Sequence, residues 1–360
     1  MAERDLSQSA TYNARPTVRI ADQDNQAVTN GLLTMRILES EGGLSSMELR
    51  LRNFANSGNG PALTFENEQD VKLGSDIAIY TGDVQSPQEI FRGVVTGLEA
   101  DFPDGQPPEL VLLAEDKLQL ARQARRSKTY DHFKISDLAN QVAQELSLTP
   151  KVTGLTDDLG TQVQLNESDL AFLRRMLERY DGDLQVVGKE LHVSKRSDVQ
   201  RGTVELELYS QLKRVRVTAD LAHQLTAMTV AGWDESQGQK VTGSSSGSHA
   251  GPGSGRTGAQ LLQDSIGERS EHLAHLAAST SDEAQAIADA AFDRLSRRFV
   301  TIDGTAEGNA QLRVGTTVTI KGVSDRFNND YYVTRVVHRF DEKGGYVSDF
   351  EAESSYLGNP

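Results

Sequence analysis

Cysteine is absent from this chain of 360 residues. Its absence excludes disulfide bonds, thiolate metal sites and a cysteine nucleophile, so packing and backbone hydrogen bonds must stabilise the fold. The sequence also lacks any apolar run of about 18 residues, which excludes a membrane-spanning helix. The polar residues 1–10 do not resemble a signal peptide. We therefore expect synthesis in the cytoplasm and no insertion into a membrane.

Basic residues are the minority, because 37 Lys and Arg stand against 52 Asp and Glu, a formal charge of -15. Non-specific affinity for nucleic acid depends on clustered cations, so this balance argues against a nucleic-acid-binding protein. One basic cluster exists, at Arg122, Arg125, Arg126 and Lys128. Its best interpretation is the last turn of a helix, where cations interact favourably with the helix dipole.

Catalytic and metal-binding motifs occur only in contexts that do not support them. Residues 243–247 fit the nucleophile-elbow pattern and residues 253–258 fit the dinucleotide fingerprint, but neither follows a predicted strand. His272 and His275 could share a helical face, yet no third or fourth metal ligand is evident near them. The sequence therefore predicts no catalytic residue, no metal ion and no cofactor.

Hydrophobic periodicity predicts a mainly β protein with α+β insertions. We predict a first tube-like antiparallel β-barrel over residues 12–115 and an α+β insertion domain over residues 116–200. Residues 201–236 and 300–357 are predicted to form a second tube-like barrel. A flexible Gly/Ser-rich loop and a helical insertion, at residues 237–299, interrupt the second barrel.

An internal repeat is the most informative pattern in the sequence. Residues 71–82 align with residues 312–322 through an apolar-basic-apolar-Gly motif that is followed by a strand and a second glycine. A Val-Val pair comes next at a similar distance, Val94-Val95 in the first copy and Val336-Val337 in the second. This order and spacing indicate a duplicated β-domain. Three such chains in a ring would present six similar domains and hence a pseudo-sixfold face.

Several short strings resemble phage late-control protein D and the hub part of VgrG spike proteins. They are residues 91–95 (FRGVV), 166–178 (NESDLAFLRRMLE), 298–301 (RFVT), 312–315 (LRVG), 326–328 (RFN), 332–334 (YVT), 338–340 (HRF) and 344–346 (GGY). The residues to which the resemblance assigns structural roles are Phe91, Gly93, Glu167, Asp169, Phe172, Gly315, Phe327, His338 and Phe340.

The resemblance implies a non-enzymatic baseplate hub of a contractile injection system, incorporated into a phage virion or a phage tail-like particle. Such a hub is a homotrimer that adapts a hexameric inner tube to a trimeric spike and contacts other baseplate components. Family members that carry their own spike continue into further domains. The end of this sequence at Pro360 therefore implies a separate spike chain or a truncated one.

The expected interfaces lie on barrel edges and at the C-terminus. We expect the strands near Leu49 and Val94 to be edge strands that contact neighbouring barrels. The residues expected to approach the spike are Ser354, Ser355, Tyr356 and Leu357. Two alternatives stay open. A cell-wall hydrolase or delivered effector enzyme would have a deep cleft with converging carboxylates of shifted pKa, and a single-barrel tail-completion adaptor would lack the duplication.

Overall fold

A computed structural model describes residues 15–57, 60–82, 86–247, 251–274 and 278–358. The polar N-terminal residues 1–10 and His275 lie outside these ranges. Strands account for 47% of the structure and helices for 19%, so the predicted mainly β class is confirmed.

The helices are α1 (Gln26–Gly31), α2 (Ile135–Glu145), α3 (Asp169–Arg179), α4 (Gly258–Ser265) and α5 (Ser281–Ser296). The strands are β1 (Thr17–Ile20), β2 (Gln23–Asp24), β3 (Leu32–Ser40), β4 (Ser46–Arg52), β5 (Ala55–Ser57), β6 (Gly60–Ala62), β7 (Asp76–Thr81), β8 (Gln88–Asp101), β9 (Glu109–Glu115), β10 (Arg125–Tyr130), β11 (Thr149–Val152), β12 (Gln162–Ser168), β13 (Gly182–Val187), β14 (Glu190–Lys195), β15 (Thr203–Glu207), β16 (Leu212–Ala219), β17 (Ala227–Asp234), β18 (Gln239–Ser245), β19 (Arg256–Thr257), β20 (Ser270–Leu273), β21 (Val300–Glu307), β22 (Thr317–Lys321), β23 (Asn329–Asp341), β24 (Gly345–Ser354) and β25 (Tyr356–Leu357).

One continuous sheet of 13 strands contains strands from both the N-terminal and the C-terminal parts of the described chain, from β1 to β24. Its order is β16-β21-β24-β23-β3-β4-β9-β8-β7-β1-β2, and β22 joins β15 to β23. We call β1, β3, β4, β7, β8 and β9 the first half of the sheet, and β15, β16, β21, β22, β23 and β24 the second half. The halves meet where β3 pairs with the distal part of β23.

Each half of the sheet covers its own hydrophobic core. Leu49 and Leu112 belong to the first core, and Tyr331 belongs to the second. Phe340 and Tyr346, from the β23–β24 hairpin of the second half, pack into the first core. The two halves are therefore interlocked, because the second half supplies large side chains to the core of the first.

The repeat predicted from the sequence has the same local structure in both halves. Gly74 and Gly315 have φ of +82° and +87°, a region that glycine adopts without strain. The Gly74 N–H donates to the Val95 carbonyl at 2.8 Å, and the Gly315 N–H donates to the Val333 carbonyl at 2.9 Å. A β-bulge then follows Val95 in β8 and Val333 in β23. The structural counterpart of Val95 is therefore Val333, and the predicted alignment with Val337 is wrong because hydrogen bonds fix the register.

Between the halves, α2 and α3 pack against the three-stranded sheet β11-β14-β13 around a core that contains Phe172. The basic cluster in this region is not the end of an α-helix, as the sequence predicted. Arg122 ends a short 3-10 helix, whereas Arg125, Arg126 and Lys128 lie on β10. The strand forms because β12 pairs with it along its length.

Part of the Gly/Ser-rich segment is a strand, although its composition predicted a loop. Its residues Gln239–Ser245 form β18, which pairs with β17 in a small sheet that also contains β20. Helix α5 packs on this sheet, and a Cβ on Gly243 would lie 2.2 Å from the Ala284 carbonyl oxygen. Glycine is needed there for close packing rather than for flexibility. Strand β17, which falls within the residues 201–236 predicted for the second barrel, belongs to this small sheet instead.

Candidate assembly interface

Strands β8 and β16 each keep one edge unpaired within the described part of the chain. β7 pairs with β8 as far as Val94, and beyond this residue only β9 continues the ladder. β16 pairs with β21 on one side and with no described strand on the other. The N–H and C=O groups on such an edge can accept a further strand. Each of these two edges is therefore a site at which the sheet could accept a further strand.

The free edge of β8 alternates apolar and acidic side chains. Leu98 is 41% exposed, and Phe102, directly after the strand, is 65% exposed. Ala100 lies between them on the same face, because side chains alternate along a strand. Glu99 and Asp101 lie on the opposite face, and neither forms an ion pair with a described residue. Along this edge, one face of the strand is thus apolar and exposed, and the opposite face is acidic.

The free edge of β16 has the complementary character. Val215 and Val217 are half-buried against the second core. Lys213 and Arg216 are exposed, and Arg214 makes only a 3.4 Å ion pair with a carboxylate that is itself largely exposed. Apolar side chains therefore alternate with cations on β16, as apolar side chains alternate with carboxylates on β8.

The corresponding stretch of β23 is covered. Counting from the bulges, Gly97 corresponds to Arg335 and Phe102 therefore corresponds to Phe340. β3 pairs with β23 from Arg335 to Asp341, and Phe340 is only 5% exposed. Equivalent phenylalanines thus differ in burial because β3 covers one of them and no described strand covers the other.

A buried ion pair lies where the two halves of the sheet meet. Arg313 Nε donates to Glu39 Oε1 at 3.0 Å, and the Glu39 residue is only 2% exposed. Burial alone would raise the pKa of Glu39, but attraction to the Arg313 guanidinium outweighs it and the pKa is lowered. Breaking such a pair leaves an uncompensated buried charge, so the loss of either partner is strongly destabilising where the halves meet.

His338 is a packed core residue near this ion pair. The Tyr346 hydroxyl oxygen lies 2.9 Å from its Nδ1, and the Ser348 Oγ lies 3.1 Å from the same nitrogen. Burial lowers the pKa of His338 to about 4, so the ring is neutral at pH 7. Both hydroxyl contacts are made by Nδ1, whereas the buried Nε2 has no hydrogen-bond partner among the described residues. His338 is therefore a packed core residue that is hydrogen-bonded at one ring nitrogen.

Three more residues that the resemblance singled out are packing positions. Phe91 is 2% exposed in the first core, and Phe172 is fully buried beside Tyr130. A Cβ on Gly93 would lie 2.3 Å from the Glu115 carbonyl oxygen, so only glycine allows β9 to approach there.

Polar residues from the same strings fix local geometry. Glu167 pairs with Arg175 at 2.9 Å, and Asp169, in the first turn of α3, lies 3.1 Å from Arg126. The Phe327 carbonyl accepts the Tyr331 hydroxyl at 2.8 Å. Each of these groups is satisfied within the chain.

The edge strands predicted near Leu49 and Val94 differ in outcome. Leu49 is fully buried on β4, which pairs with β3 and β9 on its two sides, so this strand has no free edge. Val94 is half-buried at the point where the free edge of β8 begins. The alternating pattern of β4 is common to interior and edge strands, and therefore could not separate them.

The C-terminal residues predicted to approach a spike are largely engaged within the chain. Ser354 and Ser355 are buried, so their side chains cannot contact a partner in this conformation. Tyr356 and Leu357 form β25, which pairs with β19 and is half-buried. Sequence reasoning missed β16, although its Lys-Arg-Val-Arg-Val alternation is the signal of an exposed amphipathic strand.

No described helix is both long enough and apolar enough to span a membrane. Among the described residues, no group of three or more His, Asp and Glu side chains could hold a metal ion. His272 lies on β20, where its Nδ1 is 3.0 Å from the Thr229 Oγ1. The candidate site is therefore described by the strand edges above.

The fold is similar to that of tail proteins. The 43 kDa tail protein of prophage MuSo2 from Shewanella oneidensis is 10% identical, with a TM-score of 0.68 over 94% of this chain and 97% of that one. A tail protein from Neisseria meningitidis MC58 is 10% identical, with a TM-score of 0.65 over 94% and 96%. The E. coli c3393 protein, a type VI secretion component, is 12% identical, with a TM-score of 0.59 over 95% and 79%.

The tail-protein fold implied by the resemblance is thus confirmed. No curated protein matches the chain in sequence. The family model described as "Alg8 N-terminal domain" matches residues 55–342, which is more than half of the sequence. The chain therefore belongs to the Alg8 N-terminal domain family.

Proposed function

We propose that this protein is a structural, non-enzymatic baseplate hub of a contractile injection system or phage tail. Three copies form a ring that adapts a hexameric inner tube to a trimeric spike, with other baseplate components as further partners. The likeness to tail proteins supports a structural role in a tail particle. The observation that carries the proposal is the exposure of Phe102 on an unpaired edge whose counterpart, Phe340, is buried.

Strands β3 and β16 have equivalent neighbours, and this equivalence gives a register for the ring. Arg36 of β3 lies opposite Glu48 of β4, and Arg216 of β16 lies opposite Asp303 of β21. Within one chain, Arg339 of β23 lies opposite Arg36. The same register between two chains brings β8 of one copy alongside β16 of the next.

The proposed register matches charge with charge and apolar surface with apolar surface. Asp101 of one copy lies opposite Arg216 of the next, and Phe102 lies opposite Val215. Cross-strand pairs of opposite charge and pairs of aromatic and β-branched residues both stabilise antiparallel strands. Covering Phe102 would remove from water the most exposed phenylalanine of the described chain. A second copy is therefore a fitting occupant of this edge.

The contact is head-to-tail, because the β8 edge and the β16 edge are different surfaces. Such contacts close into rings when the rotation between copies permits. We propose that the two halves are duplicated tube-like barrels, so that three chains supply six similar units around the axis. Two separate hydrophobic cores favour this arrangement over a single-barrel adaptor. The ring needs no cofactor and no nucleic acid.

The test is the mass of the purified chain under native conditions. We expect a trimer for the natural sequence and monomers for Asp101→Arg and for Arg216→Asp, because each change sets like charges opposite one another. The double variant restores the opposite-charge pair and should restore the trimer. Asp104→Arg, in the β8–β9 hairpin beyond the proposed register, is the matched control. A monomeric natural chain at micromolar concentration, or a trimeric Asp101→Arg, would overturn the proposal.

A further inference from the structure

The glycine turn of the repeat is buried in the second half of the sheet and open in the first. In the second half, Val314 is only 1% exposed, and its carbonyl accepts a hydrogen bond from Arg201 Nη1 at 3.3 Å. In the first half, its counterpart Leu73 is 56% exposed. A Cβ on Gly74 would meet no described atom within 4 Å beyond its chain neighbours. The turn of the first half is therefore accessible to another copy of the chain.

The buried ion pair between Arg313 and Glu39 belongs to the joint at which β3 pairs with β23. Glu39 of β3 lies opposite Val336 of β23 in this ladder. The Glu39 carboxylate accepts from Arg313 Nε at 3.0 Å, so β3 supplies the acid and the turn before β22 supplies the base. Charges that are shielded from water attract each other more strongly than exposed ones. This attraction opposes the opening of the joint within the chain.

Lys72 takes the place of Arg313 in the first half, because it stands two residues before Gly74 as Arg313 stands two residues before Gly315. Its contact with Glu68 is 3.6 Å long, and the two side chains are 61% and 77% exposed. A surface pair of this kind contributes little to stability. Lys72 therefore has no equivalent of the buried carboxylate within the described part of its own chain.

In the proposed ring, position 219 of the next copy takes the place that Glu39 has within the chain. Leu98 of β8 corresponds to Val336 of β23, counted from the bulges. In the proposed register, Leu98 therefore lies opposite Ala219 of the next copy. Ala219 is exposed at the end of β16 and carries no acidic group. The joint between copies is thus the joint within the chain without its ion pair.

We propose, on the basis of the ring described above, that Ala219 sets the affinity between copies by leaving Lys72 of the neighbouring copy without a carboxylate. The joint between copies is then weaker than the joint between the halves of one chain. On dilution the ring separates into intact chains, and no chain opens between β3 and β23. The ring is therefore a reversible assembly whose stability depends on the concentration of the chain.

The test places a carboxylate at position 219 and follows the mass of the trimer under native conditions during dilution. We expect Ala219→Glu to lower the concentration at which half of the trimer has dissociated by about fivefold or more, because close charge pairs at interfaces can add affinity. Ala219→Gln is the matched control, since it adds a side chain of the same length without the charge. It should not reproduce the gain.

A second substitution identifies the partner of the new carboxylate. Lys72→Met should cancel the gain from Ala219→Glu, while on its own it should change the dissociation of the natural trimer much less. Because Ala219 is exposed in the single chain, we expect the variants to have the same melting temperature as monomers.

An equal gain from Ala219→Gln, or a gain from Ala219→Glu that persists together with Lys72→Met, would contradict the role of Ala219. A folded Ala219→Glu chain without any gain would contradict it as well. In each of these cases the ring itself still stands if the natural chain forms a trimer that Asp101→Arg breaks. A monomeric natural chain would overturn the ring and the role of Ala219 together.

Discussion

Strands β8 and β23 follow the same glycine turn and carry the same bulge, but they differ in how many neighbouring strands pair with them beyond the bulge. Beyond the bulge, β23 is paired on both sides and delivers Phe340 to a core, whereas β8 is paired on one side and leaves Phe102 exposed. Local sequence is therefore not what decides burial here. Pairing with β3 decides it, and the equivalent edge of β8 lacks such a neighbour within the described part of the chain, which leaves it open for the contact that we propose between copies.

We expect the two halves to differ most in the stability that is lost when the basic residue of the repeat is replaced. Arg313 is paired with buried Glu39, while its counterpart Lys72 makes a 3.6 Å contact with Glu68 on the surface. We expect Arg313→Met to destabilise the fold by about 3–5 kcal/mol, because it leaves Glu39 charged and buried. Lys72→Met should cost about 0.5 kcal/mol or less.

Hydrogen exchange measured by mass spectrometry on peptides from β3 and β23 is the suitable readout. Trp233, the single tryptophan, lies on β17 outside the large sheet, so its fluorescence would report another region. Similar losses of protection in Arg313→Met and Lys72→Met would mean that the two basic residues contribute equally to stability. That result would contradict the predicted difference between the halves.

The halves should also differ in how their stability depends on pH. His338 of β23 corresponds to Ala100 of β8, counted from the bulges. The folded pKa of His338, about 4, lies below its ordinary value of 6.5, so its contribution is present above pH 6.5 and is lost as pH falls towards 4. The full effect is of the order of 3 kcal/mol, from about 2.5 units at 1.36 kcal/mol each.

The measurement is the stability of the natural chain minus that of His338→Gln across pH 4 to 7. Burial raises the pKa of Glu41 to about 7, and this acts in the opposite direction, since its uncharged form is favoured in the fold. Taking the difference removes that contribution. A difference that does not change with pH would mean that His338 is not buried as a neutral ring.

The smallest difference between the halves is expected in the stability cost of replacing the turn glycines, Gly74 and Gly315. An alanine at Gly74 would meet open space, so Gly74→Ala should cost about 1–2 kcal/mol from the left-handed backbone alone. At Gly315 the new Cβ would lie 2.8 Å from a Val199 methyl and 2.4 Å from Arg201, and we expect about 1 kcal/mol more. Melting temperatures of the two variants check this, and equal shifts would contradict it.

The sequence predicted the class of the fold and the existence of the repeat, because alternation and turn glycines leave a local signature. It did not predict the register of the repeat, since the Val-Val pairs at Val94 and Val336 are common in strands and are not equivalent in hydrogen bonding. The Gly/Ser-rich composition wrongly predicted a loop at Gly243, where the missing side chain instead allows β18 to pack closely against α5. A packing role and a flexibility role look identical in sequence.

The free edges of the sheet were predicted only in part, for a related reason. Val94 lies where the free edge of β8 begins, but Leu49 has the same alternating surroundings on an interior strand. Whether a strand is an edge depends on which distant segment pairs with it, and this information is not local. Sequence reasoning likewise could not show that Asp157 and Asp282 line one cavity, because only the tertiary fold brings these residues together.

The two unpaired edges are different surfaces of one sheet, with β16 at one end of the strand order and β8 within it, and this has a consequence for the kinetics of the proposed assembly. Every chain that joins through its β16 presents a fresh β8 edge, so growth ends only when the last edge meets the first. A slip that prevents closure would continue growth into a fibre. A peptide with the sequence of β16 should act as a chain terminator, which halts growth at whatever length it has reached.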